Sequence, residues 1–445
     1  MTDAESTDSQ TDPKVPESAG PSLRQMVSLW LPLAVSIIMM VLEPSAINIA
    51  LGRTMEPELA LAAYGVAFSL ALLVEAPIIM LLDASVARSI DGEAFRLMRR
   101  FTLLLGLIVT AVGLLVSLTP LYTLIVEGLM NIPEDVAARA RPTMQILAFG
   151  PLPIAWRRAH QGVLIRANRT GMVTVATGVR LVTLAAALFG GLMLFPSGGA
   201  VVAGLAMDIS VTVEAVLITW ATRPILRTGA FKGGHEREQG PRTMRALWQF
   251  YRPLAITSIL RQMTRPVLNA GIAAAGMARA SLAAWPVAWG FAILIAGPAW
   301  SLQQLTTALA VDEMAYRRVR VFALSLSGLF SLLLAVVAFT PLYGLVMGGI
   351  YNLSLELQEL ARPALQLMSV YPVLLGTQSV LRGVLIRAGN TGVVRSAMTV
   401  NVLTLAAMVL AGVRFFSLTG VMVAAIAVLA GAVAELVWLL WRSRS

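Results

Sequence analysis

WRRAHQGVLIRANRTG, residues 156–171, holds the hexapeptide GVLIRA at Gly162, and the same six letters return at Gly383. The interval is 221 residues, and it governs the whole chain. TPLY at Thr119 recurs at Thr340, ARP at Ala140 at Ala361, and TLAA at Thr183 at Thr404. Single residues keep the same interval: Pro32 with Pro253, Asn48 with Asn269, Pro77 with Pro298, Asp91 with Asp312, and Glu214 with Glu435. No gap is needed, so the sequence reads as a tandem duplication.

The repeated unit is apolar. With 57% hydrophobic and 13% charged residues, the chain departs from soluble composition, and apolar runs of membrane-spanning length recur along it. Hydropathy predicts an all-α integral membrane protein with twelve transmembrane helices, near 24–52, 58–88, 98–121, 136–166, 172–195, 199–222, 246–276, 279–309, 319–344, 357–387, 393–414 and 419–441. The expected domains are an acidic disordered tail over 1–21, an N-lobe of helices 1–6 over 22–226, a linker over 227–245 and a C-lobe of helices 7–12 over 246–445. Six helices is an even number, so both lobes share one orientation and their pseudo-twofold axis is expected along the membrane normal.

The formal charge of +10 suggests nucleic acid in a soluble chain, but here the arginines fall in short loops between apolar spans. No nucleic-acid partner is expected. Arg88, Arg96, Arg99, Arg100, Arg317 and Arg318 lie on one predicted side with the linker, which places both termini in the cytoplasm and the protein in the cell membrane. Cysteine is absent, only two histidines are present, and no metalloprotease or phosphate-loop motif occurs. Enzymatic activity, a metal and a cofactor are therefore not expected.

Charges inside the spans are the functional candidates. The segment 248–271, WQFYRPLAITSILRQMTRPVLNAG, places Arg261 and Arg265 four residues apart on one helix face, and Asn269 continues that face. Each mid-membrane arginine costs about 2.5 to 3.5 kcal/mol on insertion scales, so the pair calls for either buried ion partners or an anion in a wet cavity. Pro266 leaves the carbonyl of Gln262 without its donor and should bend this helix. The register shows where symmetry is broken: Arg261 corresponds to Met40, Arg265 to Pro44, Glu43 to Thr264, Glu75 to Ala296 and Asp83 to Gln304. The expected substrate-binding residues are Arg261, Arg265, Asn269 and Asn48. Glu43, Glu75 and Asp83 are the candidates for carrying a coupling proton or other ion.

Bland readings accompany these. Glu214 and Glu435 are matched in both halves and are expected to hold loop arginines, and Asp208 is expected to pair with Arg180. The aromatic residues Tyr64 and Phe68, repeated as Trp285 and Trp289, read first as packing. A latch between Glu43 and Arg265 across the lobes competes with Glu43 bonding inside its own lobe, to Asn48 or to a carbonyl freed at Pro44.

Several stretches resemble known transporters. WLPLAVSII at Trp30, EPSAINIA at Glu43, LAAYGVAFSL at Leu61, the 156–171 stretch, FYRPLAI at Phe250 and TRPVLN at Thr264 are similar, in that order, to segments of the progressive ankylosis protein family. The duplicated six-helix plan with an acid in a proline-broken first helix resembles the multidrug and toxic-compound extrusion (MATE) transporters of the multidrug/oligosaccharide/polysaccharide flippase superfamily. The resemblance implies a V-shaped pair of lobes, alternating access without ATP, and export of pyrophosphate, citrate or nucleotide-like anions. It leaves two alternatives, a polyspecific cation or drug antiporter and a flippase for an anionic lipid-linked substrate. Helices seven and eight hold no acid, unlike those of the sodium-coupled extruders.

Overall fold

The computed structural model describes residues 20–167, 169–228 and 243–442. Most of the predicted tail and the middle of the predicted linker, residues 229–242, lie outside the described residues. The regular structure of the described residues is helical, with one isolated bridge between Gly276 and Thr419.

The first copy comprises α1 (Leu23–Leu51), α2 (Pro57–Ile79), α3 (Leu81–Arg88), α4 (Gly92–Leu118), α5 (Leu121–Thr123), α6 (Glu134–Leu147), α7 (Pro151–Arg166), α8 (Thr170–Leu194) and α9 (Gly199–Thr228). The second comprises α10 (Met244–Gln262), α11 (Thr264–Ala274), α12 (Ala278–Ala296), α13 (Leu302–Leu309), α14 (Glu313–Phe339) and α15 (Leu342–Gly344). It closes with α16 (Leu355–Met368), α17 (Tyr371–Arg387), α18 (Thr391–Phe415) and α19 (Gly420–Arg442).

Among the described residues, ten helical runs are long and apolar enough to cross a membrane. The predicted spans 136–166 and 246–276 are not among them, although both are helical. The first is interrupted by Arg139, Arg141, Arg157 and Arg158, the second by Arg252, Arg261 and Arg265, so neither qualifies on composition.

Matched sequence yields matched geometry. Asp91 caps α4 by accepting from the Ala94 N–H at 2.7 Å, and Asp312 caps α14 from Ala315 at 2.7 Å. Arg141 Nε donates to the Ser117 carbonyl at 3.0 Å, and Arg362 Nε to that of Ala338 at 3.2 Å. The Tyr122 hydroxyl reaches the Ala137 carbonyl, as Tyr343 reaches that of Gln358. Both copies carry a π-helical turn, Leu124–Leu129 and Leu345–Ile350. A left-handed asparagine follows each, Asn131 at φ 52° and Asn352 at φ 56°, a region this short polar side chain tolerates.

The seam between the copies keeps the register too. Asn48 Nδ2 donates to the Pro286 carbonyl at 2.9 Å, and Asn269 Nδ2 to that of Gly65 at 3.4 Å; Gly65 and Pro286 are themselves repeat equivalents. There α2 and α12 approach so closely that a Cβ on Gly65 would sit 3.0 Å from Pro286 Cγ. Trp30 Nε1 donates to the Pro298 carbonyl at 3.4 Å, and the equivalent Tyr251 hydroxyl to that of Pro77.

Each copy thus lends the start of its first helix to the other. Trp30 lies 6.2 Å from Phe322 and 6.4 Å from Phe330, ring to ring, while Tyr251 packs 5.2 Å from Phe101. The exchange differs in one respect. α1 runs through Pro44 unbroken, whereas the seventh predicted helix stops at Gln262 and restarts at Thr264, where Pro266 withholds its donor.

Candidate functional site

Three groups of polar side chains lie within the helices. The first is a buried ion network in the first copy. Glu214 on α9 is ion-paired with Arg157 on α7 and accepts from Gln161 at 3.0 Å and Thr177 at 3.2 Å. Arg180 on α8 joins it, its Nε 3.3 Å from Glu214 and its Nη2 bonded to Glu43 on α1. Two carboxylates and two guanidiniums balance, which is the condition for burying charge at tolerable cost.

This network corrects three expectations. Arg180 pairs with Glu43 and Glu214 rather than with Asp208. Asp208 lies six residues before Glu214 on α9, which turns its side chain about 120° away from this face. Glu43 is bonded inside its own copy, so it forms no latch with Arg265 here, and its partner is neither Asn48 nor a carbonyl at Pro44. Glu214 and Glu435 hold helix-borne arginines, not loop ones. α8 packs against α1 within the first copy, and repeat depth alone does not reveal such neighbours.

The second copy carries a reduced version. Arg382 Nε donates to Glu435 at 2.7 Å, Asn401 Nδ2 donates to the other oxygen at 2.9 Å, and Gln378 turns to the Ala432 carbonyl at 2.7 Å. In register, Arg157 and Gln161 become Gln378 and Arg382, so the arginine and glutamine have exchanged places one helical turn apart. Arg157 is a core residue absent from the candidates above, and this exchange is the sequence signal that marks it.

The second group lies at the break between α10 and α11. Arg261 and Arg265 are both accessible, and among the described residues neither has a hydrogen bond or a carboxylate within ion-pair reach. Arg265 stands 5.9 Å from the ring centre of Phe68 on α2. Phe68 is stacked on Tyr64 at 5.5 Å, and the equivalent pair Trp285 and Trp289 stacks at 5.7 Å. Arg261 lies within electrostatic range of Arg382, and Arg265 within range of Arg261 and Tyr64. This face is basic, aromatic and uncompensated. Asn48 and Asn269, expected beside it, spend their amides on the seam, Asn269 also donating to Ser69 at 2.8 Å.

The third group is acidic. Glu75 on α2 is buried, Asp208 on α9 is half-buried and Asp83 on α3 is exposed. Glu75 lies in electrostatic range of Asp208, Arg157 and Arg158.

Residues 241–439 match the family model of the progressive ankylosis protein (ANKH). No curated protein matches the chain by sequence. Among solved structures, the chain is similar to an inward-facing multidrug resistance MATE family transporter of the MOP superfamily, with TM-score 0.69 and 18% identity over 93% of this chain and 97% of that one. It is also similar to the lipid II flippase MurJ in an inward closed conformation, with TM-score 0.71 and 14% identity over 93% of this chain and 87% of that one. A third is a MOP superfamily transporter from Pyrococcus furiosus described as having a binding pocket of reverse polarity, with TM-score 0.63 and 17% identity over 94% and 95% of the two chains.

Proposed function

We propose that this membrane protein with the fold of the MATE transporters is a secondary active transporter that exports an organic or phosphorylated anion across the cell membrane. In this reading twelve helices form two six-helix lobes about an axis along the membrane normal, both termini are cytoplasmic, and the lobes alternate about a central site. The recurrence of hydrogen bonds at the repeat interval, on both sides of the seam, supports that arrangement.

One observation carries the substrate class. Arg261 and Arg265 flank the break between α10 and α11 with, among the described residues, no carboxylate to neutralise them, whereas Arg157, Arg180 and Arg382 are each paired with a buried glutamate. An anion supplies the missing charge, and the break at Met263 leaves backbone free to move around it. The proposed site is the arginine pair with the Phe68 face, without Asn48 and Asn269. Glu43 belongs to the strut with Arg180, so coupling falls to Glu75 rather than to Glu43 or the exposed Asp83.

The test is thermal stability of the purified protein with pyrophosphate, citrate and cationic dyes. Pyrophosphate or citrate should raise the melting temperature of the wild type but not of Arg265→Ala, since a ligand that binds only the native state stabilises it. Stabilisation by cationic dyes alone rejects the reading in favour of a drug antiporter.

A flippase for an anionic lipid-linked substrate is the second reading. It is favoured by an apolar crevice of about 360 Å³ lined by Leu42, Ile49, Leu184, Phe291 and Tyr351, of a size to admit a chain beside the seam.

A further inference from the structure

The apolar crevice at the seam has a cation across its outer end. Leu42 and Ile49 of α1 and Leu184 of α8 form one wall, and Phe291 of α12 with Ile350 of the second π-helical turn forms the other. Arg53, just beyond the end of α1, donates from Nη1 to the Ile49 carbonyl at 2.7 Å and from Nη2 to the Gly349 carbonyl at 3.4 Å. Its guanidinium thus joins a wall residue of the first copy to the neighbour of a wall residue of the second. Arg53 is exposed, and among the described residues no carboxylate lies within ion-pair reach of it, whereas Arg139 and Arg279 on the same predicted side are paired with acids.

The crevice itself decides little about its occupant beyond polarity. Leu42 and Ile350, 41% and 50% exposed, open it toward the surface that faces lipid. Water finds no partners among such side chains, and an empty space forfeits the dispersion contacts of both walls, so what fills it is apolar. A lipid chain that enters gains nothing by leaving its neighbours, since both media are apolar. Selection therefore falls to the charged end. Arg53 sits where a span meets the headgroups, and its remaining N–H groups can grip two oxygens of one phosphate.

The crossing is asymmetric and tight. In register Gly52 and Arg53 become Ala273 and Ala274, so the second crossing has no cation at this position. Gly52 lies at φ −61° and ψ −12°, which any residue adopts, so the glycine serves close approach rather than conformation. A Cβ there would overlap the Tyr351 carbonyl oxygen. Asn352 Nδ2 donates to the Gly52 carbonyl at 2.7 Å and ties the copies together at this point. Walls and arginine form one site only while these outer ends meet.

We infer that Arg53 and the crevice beneath it bind one phospholipid of net negative headgroup charge, with its phosphate on the guanidinium and one acyl chain between α1, α8 and α12, and that this lipid holds the outer ends of the copies together. The lipid is a resident ligand, not cargo. The site shares no residue with the Arg261 and Arg265 pair, so it stands or falls apart from the export of an anion.

The purified full chain in detergent is titrated with phosphatidylglycerol and, separately, with phosphatidylcholine of the same chains; native mass spectrometry counts bound lipid, and the melting temperature is followed alongside. The wild type should retain one phosphatidylglycerol, several-fold more often than phosphatidylcholine, and melt a few degrees higher with it. Arg53→Gln should erase that preference, because the crevice remains and the charge is gone. Ala46→Phe, which fills the crevice and leaves Arg53, should lose the retained lipid. Gly52→Ala, which parts the walls and leaves both Arg53 and the lining, should lose it too, and covers the event that Ala46→Phe does not fold. Equal retention of the two lipids by the wild type overturns the inference, since it marks unselective contact with the bilayer. So does a preference that survives Arg53→Gln, or retention undiminished in Ala46→Phe or in Gly52→Ala. Fluorescent phosphatidylglycerol moved between the leaflets of reconstituted vesicles by the wild type, and not by Arg265→Ala, would make the lipid cargo and overturn its resident role.

Discussion

Arg279 and Glu58 occupy the same position in the two copies, and they bond to each other, with Arg279 Nε 3.2 Å from the Glu58 carboxylate. A position that meets its own repeat lies on the relating axis, where identical charges would repel. Divergence to opposite signs converts that repulsion into a tie. Arg279 Nη1 also reaches Asp135 at 2.8 Å, so one guanidinium holds two segments of the first copy. The predicted topology places this clamp on the outer side, over the arginine pair.

The clamp should set conformation rather than stability. Its side chains are 33–48% exposed, and ion pairs so exposed contribute about 0 to 1 kcal/mol. Arg279→Glu should therefore leave the melting temperature nearly unchanged yet part the outer ends of the copies, and Glu58→Arg in the same chain should bring them back. The chain has no cysteine, so spin-labelled cysteines at the exposed Met55 and Met277, which leave positions 58 and 279 free to carry the clamp or its variants, report the separation directly. A longer distance between the labels in Arg279→Glu, shortened again by Glu58→Arg, is the expected result; a distance that neither change alters counts against the clamp.

The duplication is legible because it needs only letters in register, and the matched pairs Asn48 with Asn269 and Pro77 with Pro298 make equivalent contacts at the seam. Helix extents follow from hydropathy to within a few residues, except that 98–121 and 319–344 begin earlier, at Gly92 and Glu313, because Asp91 and Asp312 cap them, and that 199–222 continues to Thr228. Pairings across helices were not legible. Repeat register gives depth but not azimuth, so it leaves Glu43 equally able to face Arg265 or its own copy; the packing of α8 against α1, which brings Arg180 to Glu43, decides it. Arg157 is hidden for a different reason: it adjoins Arg158 in the arginine-rich stretch 156–171, where letters alone do not separate a core cation from one that sets topology.

Arg180 should be intolerant of truncation. Arg180→Ala leaves Glu43 buried without a partner, and removing one member of a buried pair costs about 3 to 5 kcal/mol. Glu43→Gln added to Arg180→Ala should recover a large part of that loss, because the stranded charge is gone. Denaturation of the single and double variants measures this, and a double variant no better than Arg180→Ala alone rejects the pairing as an energetic unit.

Arg265 should distinguish charge from shape. Arg265→Lys keeps the cation but removes the planar fork that grips two anion oxygens at once and lies over Phe68. Pyrophosphate should still stabilise this variant, at roughly tenfold weaker affinity if a difference of about 1.4 kcal/mol is lost. Loss as complete as in Arg265→Ala would instead show that the guanidinium shape is indispensable.

The exchange of arginine and glutamine between α7 and α17 offers a stricter test, because the protein contains both solutions to one problem. Glu214 is met by Arg157 with Gln161 one turn on, and Glu435 by Arg382 with Gln378 one turn back. Arg157→Gln alone removes a cation from a buried network and should cost about 3 to 5 kcal/mol. Arg157→Gln with Gln161→Arg reproduces the second copy's order, and positions four residues apart share a helix face, so the moved guanidinium can reach the same carboxylate. The double variant should fold and lie closer to wild type than to the single variant. Full recovery is not expected, since Arg180 remains where the second copy has Asn401 and was placed to share Glu214 with an arginine at 157. Adding Arg180→Asn and Glu43→Gln completes the second-copy arrangement and removes the charge Arg180 leaves behind, and this quadruple variant should be at least as stable as the double one. A double variant as unstable as Arg157→Gln would mean that the two copies do not present equivalent sockets to their glutamates, and the case for a shared core design would fail with it.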